Sequence, residues 1–413
     1  MTPPSGAAPR SGRPTRRDQL AAIAGGLFAR DGYHNVSVQD IAAAVGLSGP
    51  ALYRHFRGKQ AVLAHLLLTG LDEAGRVLDG GGRVLGGDGR VLDGDADAGA
   101  DAGAGPELPE SYARLAALVV ARPEFGMLWR RERRHLAPDD ATEVTARAVR
   151  IGAPLIRALQ EHRPELKPSD ASLLTWGALS VLGSISDHSV RLARTAFEKL
   201  LTAIVLDILA TDLPPAPGAP PAVAGARRTA LDARREQLLA VSARLFRERG
   251  FHAVTMEHIG AAADMAGPSI YTHFSGKVDL LQTAAHRIQE RLRQNSEAAQ
   301  TAGVSASDTL DLLIGSYVDT VLDYRDLVAA YFAEGHNLPD RDRAELRRFQ
   351  SALAAYWAEV TSAAAPVRDP KEVRVRVHAA FAVVNDLALT HQFASRPALA
   401  AELRTLMRTV LAG

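Results

Sequence analysis

Ser48-Gly-Pro-Ala-Leu-Tyr-Arg-His-Phe-Arg-Gly-Lys59 occurs twice in this chain, the second time as Ala266-Gly-Pro-Ser-Ile-Tyr-Thr-His-Phe-Ser-Gly-Lys277. Seven of the twelve positions are identical, and the offset of 218 residues holds without a gap back to Arg17 and Arg235. A match of this length inside one continuous register indicates an internal repeat. The sequence therefore predicts two copies of one structural unit.

Two further helical patterns precede each copy. In the first unit, apolar residues at 3- and 4-residue spacing predict a helix over 16–30, which ends at Gly32. Ser37 with Asp40 forms a capping-box pattern that begins a second helix, and Ser48 is placed to cap a third. A supporting helix followed by helix-turn-helix is typical of DNA-binding units whose second motif helix enters the major groove.

These positions carry a resemblance to a known family. Both units resemble the N-terminal domain of the TetR/AcrR repressors, and the whole chain is similar to the tandem, double-TetR form. The matching residues of the first unit are Phe28, Gly32, Tyr33, Ser37, Ile41, Ala42, Gly46, Leu47, Ser48, Leu52, Tyr53, His55, Phe56 and Lys59. Those of the second unit are Phe246, Gly250, Phe251, Thr255, Ile259, Ile270, Tyr271, His273, Phe274 and Lys277. The resemblance implies an all-α fold, with two helix-turn-helix heads that are each followed by a helical ligand-binding and dimerisation body.

Composition agrees with a regulator that has local basic surfaces. The formal net charge of the 413-residue chain is +1. Residues 14–60 carry six Lys/Arg against three Asp, whereas residues 232–278 carry six against five acidic residues. Zero cysteines exclude disulfides and cysteine-based zinc sites. The N-terminus has no signal-peptide core, and no apolar run is long enough to span a bilayer, so we expect a cytoplasmic protein without a cofactor.

The sequence predicts seven segments. Repeated Gly-Arg-Val-Leu heptads and an Asp/Ala/Gly run predict a disordered loop, and a Pro-rich run predicts an extended linker. The segments are a flexible arm (1–13), a first helix-turn-helix domain (14–74), a Gly/Asp-rich loop (75–105), a first helical regulatory domain (106–211), a Pro-rich linker (212–229), a second helix-turn-helix domain (230–290) and a second regulatory domain (291–413).

The candidate DNA-binding residues fall into two roles. Residues shared by the units would position the protein on phosphates, and residues that differ would read bases. In the first head the candidates are Ser37, Gln39, Ser48, Gly49, Pro50, Ala51, Tyr53, Arg54, His55 and Lys59. In the second head they are Thr255, Glu257, Gly267, Pro268, Ser269, Tyr271, Thr272, His273 and Lys277.

The second head departs from the pattern. Asp264 replaces the turn glycine, which the left-handed tolerance of Asp allows, and Ala266 replaces the capping serine. Arg54 can contact guanine with two hydrogen bonds, whereas its counterpart Thr272 has no such geometry. The sequence therefore predicts a weaker second head with a different base preference, and an asymmetric operator.

The bodies offer fewer signals. The resemblance implies dimerisation through the last two helices of each body, here 169–188 with 191–211 and 370–391 with 395–411. The two halves are expected to pair within one chain, across a homodimer, or both. It also implies an effector pocket, with a small hydrophobic ligand such as a lipid or acyl compound. Candidate pocket residues, for which ordinary core packing is the competing interpretation, are Trp129, His135, Trp176, Tyr331, His336, Trp357 and Asn385.

Two other classes of function share features with this sequence. An enzyme is one, because Glu132 and His135 match half of a di-iron Glu-x-x-His pattern; Glu334 and His336 have the wrong spacing to complete it. A protein-interaction adaptor whose heads no longer bind DNA is the other. The prediction is a DNA-binding transcription regulator, with repression as the family default and no enzymatic activity.

Overall fold

The computed structural model describes residues 15–79, 84–85, 91–92, 107–215, 230–265, 267–364 and 368–413. Within these ranges the regular secondary structure is helical apart from two short antiparallel strands, β1 (Val84–Leu85) and β2 (Val91–Leu92). This confirms the predicted all-α class with two tandem units. The predicted flexible arm at 1–13, most of the predicted Gly/Asp-rich loop (80–83, 86–90 and 93–105) and most of the linker, 216–229, lie outside the described residues.

The first half contains nine α-helices in the described residues. They are α1 (Arg16–Asp31), α2 (Val38–Ala44), α3 (Gly49–Tyr53), α4 (Lys59–Leu78), α5 (Leu108–Ala121), α6 (Glu124–Met127), α7 (Pro138–His162), α8 (Pro168–Gly183) and α9 (Arg194–Leu209). A π-helical turn (Leu128–Glu132) and a 3-10 turn (Arg133–His135) follow α6, and a further 3-10 turn (Ser184–Asp187) follows α8.

The second half repeats this order over the described residues. Its helices are α10 (Ala230–Arg249), α11 (Met256–Ala262), α12 (Gly267–Ile270), α13 (Lys277–Thr301), α14 (Ala306–Asp323), α15 (Arg325–Glu334), α16 (Asp340–Ala364), α17 (Pro370–Leu389) and α18 (Leu399–Ala412). The 3-10 turns are Gly335–Asn337 and His391–Phe393. Since the halves share both sequence register and helix order, each is one complete head-and-body unit.

The two bodies pair within one chain. Helix α8 packs on α17 and α9 packs on α18, so the last two helices of each half form a four-helix bundle. Apolar residues that are fully buried line these helices, including Leu174 and Val181 from the first half and Val383 and Leu406 from the second. The observed helices coincide within a few residues with the segments predicted for dimerisation. In this structure the two halves therefore pair with each other within one chain.

Polar contacts reinforce the bundle. Arg396 donates to the Asp170 carboxylate at 2.6 Å and to the carbonyl of Ser169 at 3.1 Å, and so joins the two halves. The same guanidinium pairs with Glu402, which is only 3% exposed. A hydrogen bond from Thr211 Oγ1 to Thr409 Oγ1, 3.2 Å long, links the ends of α9 and α18. The interface therefore includes both apolar packing and fixed charge.

Two predicted boundaries need correction. Helix α4 continues to Leu78, so residues 75–78 are helical rather than part of the predicted Gly/Asp-rich loop, and β1 with β2 forms a short ladder inside that loop. Helix α13 runs through the predicted border at 290/291 to Thr301. In both halves this long helix carries the head directly into the body. None of the described helices combines the length and apolar character needed to cross a membrane.

Candidate nucleic-acid interface and effector cavity

The turn of each helix-turn-helix uses a left-handed residue. Gly46 has φ +67°, and Asp264, its counterpart in the second head, has φ +53°. Asp264 is the one non-glycine residue with positive φ among the described residues. The predicted tolerance of aspartate at this turn is confirmed, at a cost that glycine avoids. Ala266 lies outside the described residues, so the predicted loss of a cap there has no structural counterpart.

Capping fixes the helix before the turn. Ser37 and Asp40 form a reciprocal capping box at α2, as predicted, and Thr255 forms the same box with His258 at α11. Ser48 stands at the N-cap position of α3, but its side chain makes no capping hydrogen bond, which corrects the predicted cap. The exposed Ser48 hydroxyl is consequently free of protein partners in the described structure.

The first head presents a polar third helix. Tyr53 is 57% exposed, although the neighbouring Leu52 and Phe56 are buried in the head core. Neither Arg54 nor Tyr53 has a side-chain partner among the described residues. The exposed candidates of this head are Ser37, Gln39, Ser48, Pro50, Tyr53 and Arg54, whereas Gly49, Ala51, His55 and Lys59 are half-buried. Helices α2 and α3 therefore bring most of the predicted side chains to one open surface.

The second head has a similar shape with different chemistry. Tyr271 is 53% exposed, matching Tyr53. Thr272 donates its hydroxyl hydrogen to the carbonyl of Ser269 in its own helix, at 2.7 Å. The exposed candidates are Thr255, Glu257, Ser269, Tyr271 and Thr272, and His273 and Lys277 are half-buried. Gly267 and Pro268 begin α12, and their side chains lie outside the described residues.

The two lysines have a structural role that the sequence interpretation missed. Lys59 Nζ donates to the backbone carbonyls of Tyr33 (2.8 Å), Val36 (3.1 Å) and His34 (3.4 Å), which uses all three of its hydrogens. The ammonium also lies 4.4 Å from the centre of the Tyr33 ring. Burial lowers the pKa of Lys59. Lys277 contacts the carbonyl of Phe251 in the same way, at 2.7 Å. These lysines tie the start of the fourth helix to the α1–α2 turn rather than being free for phosphate.

The turns after the first helix of each head meet a cluster of histidines. The His34 ring lies 4.4 Å from both the His252 ring and the His135 ring, measured between centroids. A Cβ added to Gly32, whose φ is +82°, would lie 2.6 Å from the His336 ring. The first head therefore contacts the second head and also the second body. Burial lowers the pKa of His34 to about 4 and the pKa values of His135 and His336 to about 3.

A buried glutamate connects the second body to its head. Glu334, which is 1% exposed, accepts a hydrogen bond from the backbone N–H of Phe251 at 3.1 Å. Arg134 of the first half pairs with the same carboxylate at 2.8 Å. Glu132 is the counterpart of Glu334, 202 residues earlier; burial raises its pKa, and the charges of Arg134 and Arg131 partly offset this effect. One half thus supplies the counter-charge that holds the head of the other half.

A cavity of about 370 Å³ lies between the two halves. Most of its wall comes from the second body, including Tyr317, Tyr331 and Phe381. The π-helical and 3-10 turns of the first body close one side, and Arg247 of the second head reaches it as well. A volume in the range of several hundred cubic ångströms is typical of small-molecule pockets. The cavity therefore touches both bodies and one head.

The cavity contains two of the seven predicted pocket residues, Tyr331 and Asn385. Asn385 accepts a hydrogen bond from the Tyr317 hydroxyl at 3.2 Å. The other five lie elsewhere for identifiable reasons. Trp357 is buried edge-on against Tyr317 and Phe381.

The remaining four predicted residues pack at other contacts. Trp129 lies under the Arg133 guanidinium, and Trp176 packs against the core of the four-helix bundle. His135 stacks on the Tyr33 ring, and His336 contacts Gly32 at the head junction. Their aromatic character serves packing, which was the competing interpretation.

The sequence interpretation overlooked a charged wall. Arg130, Arg131, Arg133 and Arg134 all line the cavity, and together they form a run of four arginines in five residues. That density was a usable signal, but the sequence does not show that the run faces the other half. The π-helical turn at Leu128–Glu132 widens the helix there, as such turns often do at functional sites.

The pattern that suggested a metal enzyme has another explanation. Glu132 and His135 lie 3.5 Å apart and contact each other. Among the described residues, no three side chains of His, Cys, Asp or Glu are arranged to hold a metal ion. The half-motif therefore belongs to the junction between body and head.

Comparison with known proteins agrees with this geometry. The model of the N-terminal domain of bacterial regulatory proteins of the tetR family matches residues 22–66 and 238–284, which cover the helices of both heads. The transcriptional repressor KstR2 of Rhodococcus jostii is 41% identical over 73 residues, 18% of this chain and 35% of that protein. The transcriptional activator FasR of Mycolicibacterium smegmatis is 38% identical over 61 residues, 15% of this chain and 28% of that protein. The chain thus spans about a third of the length of these relatives.

Among solved structures, a tetR-family regulatory protein from Rhodococcus RHA1 is 19% identical, with a TM-score of 0.37. The match covers 43% of this chain and 96% of that protein. The fold and the two heads define a tandem helix-turn-helix protein. It carries two N-terminal domains of the tetR family in one polypeptide, at residues 22–66 and 238–284.

Proposed function

We propose that this chain is a DNA-binding transcription regulator, without enzymatic activity, that binds an asymmetric operator through its two unlike heads. The observation that carries the proposal is the intrachain four-helix bundle, which joins two complete units that each expose a third helix. Helix-turn-helix dimers bind two half-sites through two such helices. A single chain here holds the same number of heads as a dimer.

The heads differ where bases are read. Arg54 in the first head is exposed and unpaired, and can contact guanine with two hydrogen bonds. Thr272, at the matching position, donates its hydroxyl hydrogen to the carbonyl of Ser269 in its own helix. Glu257 replaces Gln39 and adds a negative charge beside the duplex. We infer different half-site sequences and a weaker contribution from the second head.

We further propose that the chain represses its target genes and that a small effector controls this repression. One relative is named a repressor and the other an activator. The cavity supports effector control because its wall includes residues of both bodies and of the second head. A reporter gene placed behind the operator tests the direction of control; expression should fall when the chain is supplied, and a rise would indicate activation.

DNA binding itself separates this proposal from the adaptor alternative. In fluorescence anisotropy with genomic fragments, the affinity should fall steeply as salt rises, because phosphate contacts release counterions. The double variant Tyr53→Ala/Arg54→Ala should weaken binding more than Tyr271→Ala/Thr272→Ala. Arg150→Ala, on the exposed face of α7, is the matched control and should leave the affinity unchanged. An affinity that is absent at low salt would favour the adaptor.

A further inference from the structure

The arginines that line the cavity differ in how well they are paired. Arg130 is held by Asp187 at 2.6 Å and lies 3.7 Å from Asp386. Arg131 is half-buried and has no hydrogen bond or ion pair among the described residues. Burial lowers its pKa, and the charges of Asp187 and Glu132 offset part of that effect. One amino group of Arg134, Nη2, is buried without a hydrogen-bond partner. A buried polar group without a hydrogen bond is costly, so Nη2 of Arg134 lacks an acceptor that a ligand would supply, and Arg131 beside it has a free guanidinium to offer.

The opposite wall of the cavity is apolar. Leu292, Phe332, Leu353 and Phe381 line it, and the Phe381 ring stacks on Tyr317 with centroids 4.7 Å apart. No acidic side chain lines that wall in the described structure; the two aspartates of the cavity stand beside Arg130. The cavity thus has one cationic side and one apolar side.

The run of four arginines comes from the first half, and the second half adds only Arg247, which pairs with Asp326. At an offset of 202 residues, Phe332 and Ala333 stand where the first half has Arg130 and Arg131. The second half therefore supplies the apolar wall at the very positions at which the first half supplies guanidinium groups. The site is complete only when both halves of the chain are paired.

We propose that this cavity binds one anionic amphiphile, with its carboxylate or phosphate between Arg131, Arg133 and the free amino group of Arg134, and its apolar body against Phe332 and Phe381. Its role as the effector site rests on the proposed regulatory function. The charged wall adds a requirement for an anion to the hydrophobic effector predicted from the sequence.

Binding of the anion has a direct route to the second head. Arg134 is the counter-charge of the buried Glu334, which holds the backbone of Phe251. An anion that draws Arg134 toward the cavity leaves the buried Glu334 without its counter-charge, although Asn337 still donates to it, and weakens that junction. Arg247, at the end of α10, also lines the cavity and pairs with Asp326 at 2.7 Å. The effector therefore competes with contacts that fix the position of the second head.

The test uses the full chain without DNA and two probes of equal length, dodecanoate and dodecan-1-ol. Titration calorimetry should give one dodecanoate per chain, bound at least about tenfold more tightly than the alcohol, because a charge-assisted hydrogen bond has about that effect. Arg131→Gln and Arg133→Gln should each remove most of that difference and leave the alcohol unchanged. Arg150→Gln, an exposed arginine on α7, is the control and should alter neither probe.

Equal binding of the two probes, no binding of either, or full dodecanoate affinity in Arg131→Gln would overturn the proposal. A second arm separates this site from the proposed function, because operator affinity is measured with and without dodecanoate. Operator binding by a chain that does not bind dodecanoate overturns the cavity assignment alone. Dodecanoate binding with no change in operator affinity supports the cavity assignment and contradicts its regulatory role.

Discussion

His34 and His252 lie ring against ring, with centroids 4.4 Å apart, and they occupy the same position in the two repeats, 218 residues from each other. The two heads therefore meet directly at equivalent residues, in addition to being joined through the bodies. Because operator half-sites have a fixed spacing, a contact that fixes the distance between heads bears directly on DNA binding.

This histidine junction predicts a loss of stability in acid. The pKa of His34 is lowered to about 4 and those of His135 and His336 to about 3, in each case chiefly by burial. Between pH 6.5 and about 4 the unfolded chain binds protons that the folded chain does not, so the free energy of unfolding falls as pH falls. The fall is at most about 1.4 kcal/mol per pH unit for each histidine, and less for exposed His34. Glu132 and Glu334, whose pKa values are raised by burial, oppose part of it near the acid end.

Urea unfolding followed by circular dichroism between pH 8 and 5 measures this dependence. His135→Gln should lower the slope of stability against pH below pH 6.5, because one protonation site is removed. His162→Gln, at the exposed end of α7, is the control and should keep the wild-type slope. A stability that is constant from pH 7 to pH 5 would contradict the neutral state of these histidines.

Arg396 should be essential to the pairing of the two halves. Its removal leaves Glu402 buried without a counter-charge and breaks the link to Asp170. We expect Arg396→Ala to lower the free energy of unfolding by about 3 kcal/mol, as for other broken buried pairs. Arg404→Ala removes only an exposed pair with Asp319 and should cost less than about 1 kcal/mol. Similar losses of stability in both variants would show that the buried ion pair stabilises the fold no more than the exposed one.

Gly126 lies where two backbone segments approach so closely that a side chain has no room. A Cβ added there would lie 2.6 Å from the carbonyl oxygen of Gly183, which also accepts from Arg130. We expect Gly126→Ala to destabilise the fold by about 1–3 kcal/mol, since backbone has to move. Gly152, inside α7, has open space at the same point, and Gly152→Ala should instead stabilise by about 0.5–1 kcal/mol. Thermal unfolding of the two variants should shift in opposite directions.

Lys59 is expected to act on stability more than on DNA contact. Lys59→Met removes a donor to three backbone carbonyls and should lower the free energy of unfolding by about 1–3 kcal/mol. The salt dependence of operator affinity should stay that of the unaltered chain, because no phosphate contact is lost. A shallower salt dependence with unchanged stability would restore the role predicted from the sequence.

Local sequence patterns were sufficient to predict the heads. The repeat, the capping box at Ser37 and the left-handed turn residue at Asp264 each depend on neighbours within a few residues, so spacing alone identifies them. The pattern also placed the paired helices of the two bodies within a few residues. What it left open was whether those helices pair within one chain, which the packing of α8 on α17 answers for this structure.

Contacts between the two halves could not be predicted from the sequence. The sequence suggested that Lys59 contacts phosphate, but in the structure it donates to carbonyls of the α1–α2 turn. In the sequence alone, Arg131 and Arg134 resemble solvated charges. In the structure both line a cavity whose other walls come from the second body. In each case the role of the side chain is set by a surface far away in the chain, and no periodicity records that surface.

One chain is expected to carry both halves of a DNA-binding unit whose two heads are unlike. Selection of bound fragments from random DNA by the purified full chain, with the mass of the complex on the selected site measured in parallel, tests it most directly. We expect a selected site with two different half-sites, occupied by a single chain at low protein concentration. A perfect inverted repeat bound by two chains, or no selected sequence even at low salt, would contradict it.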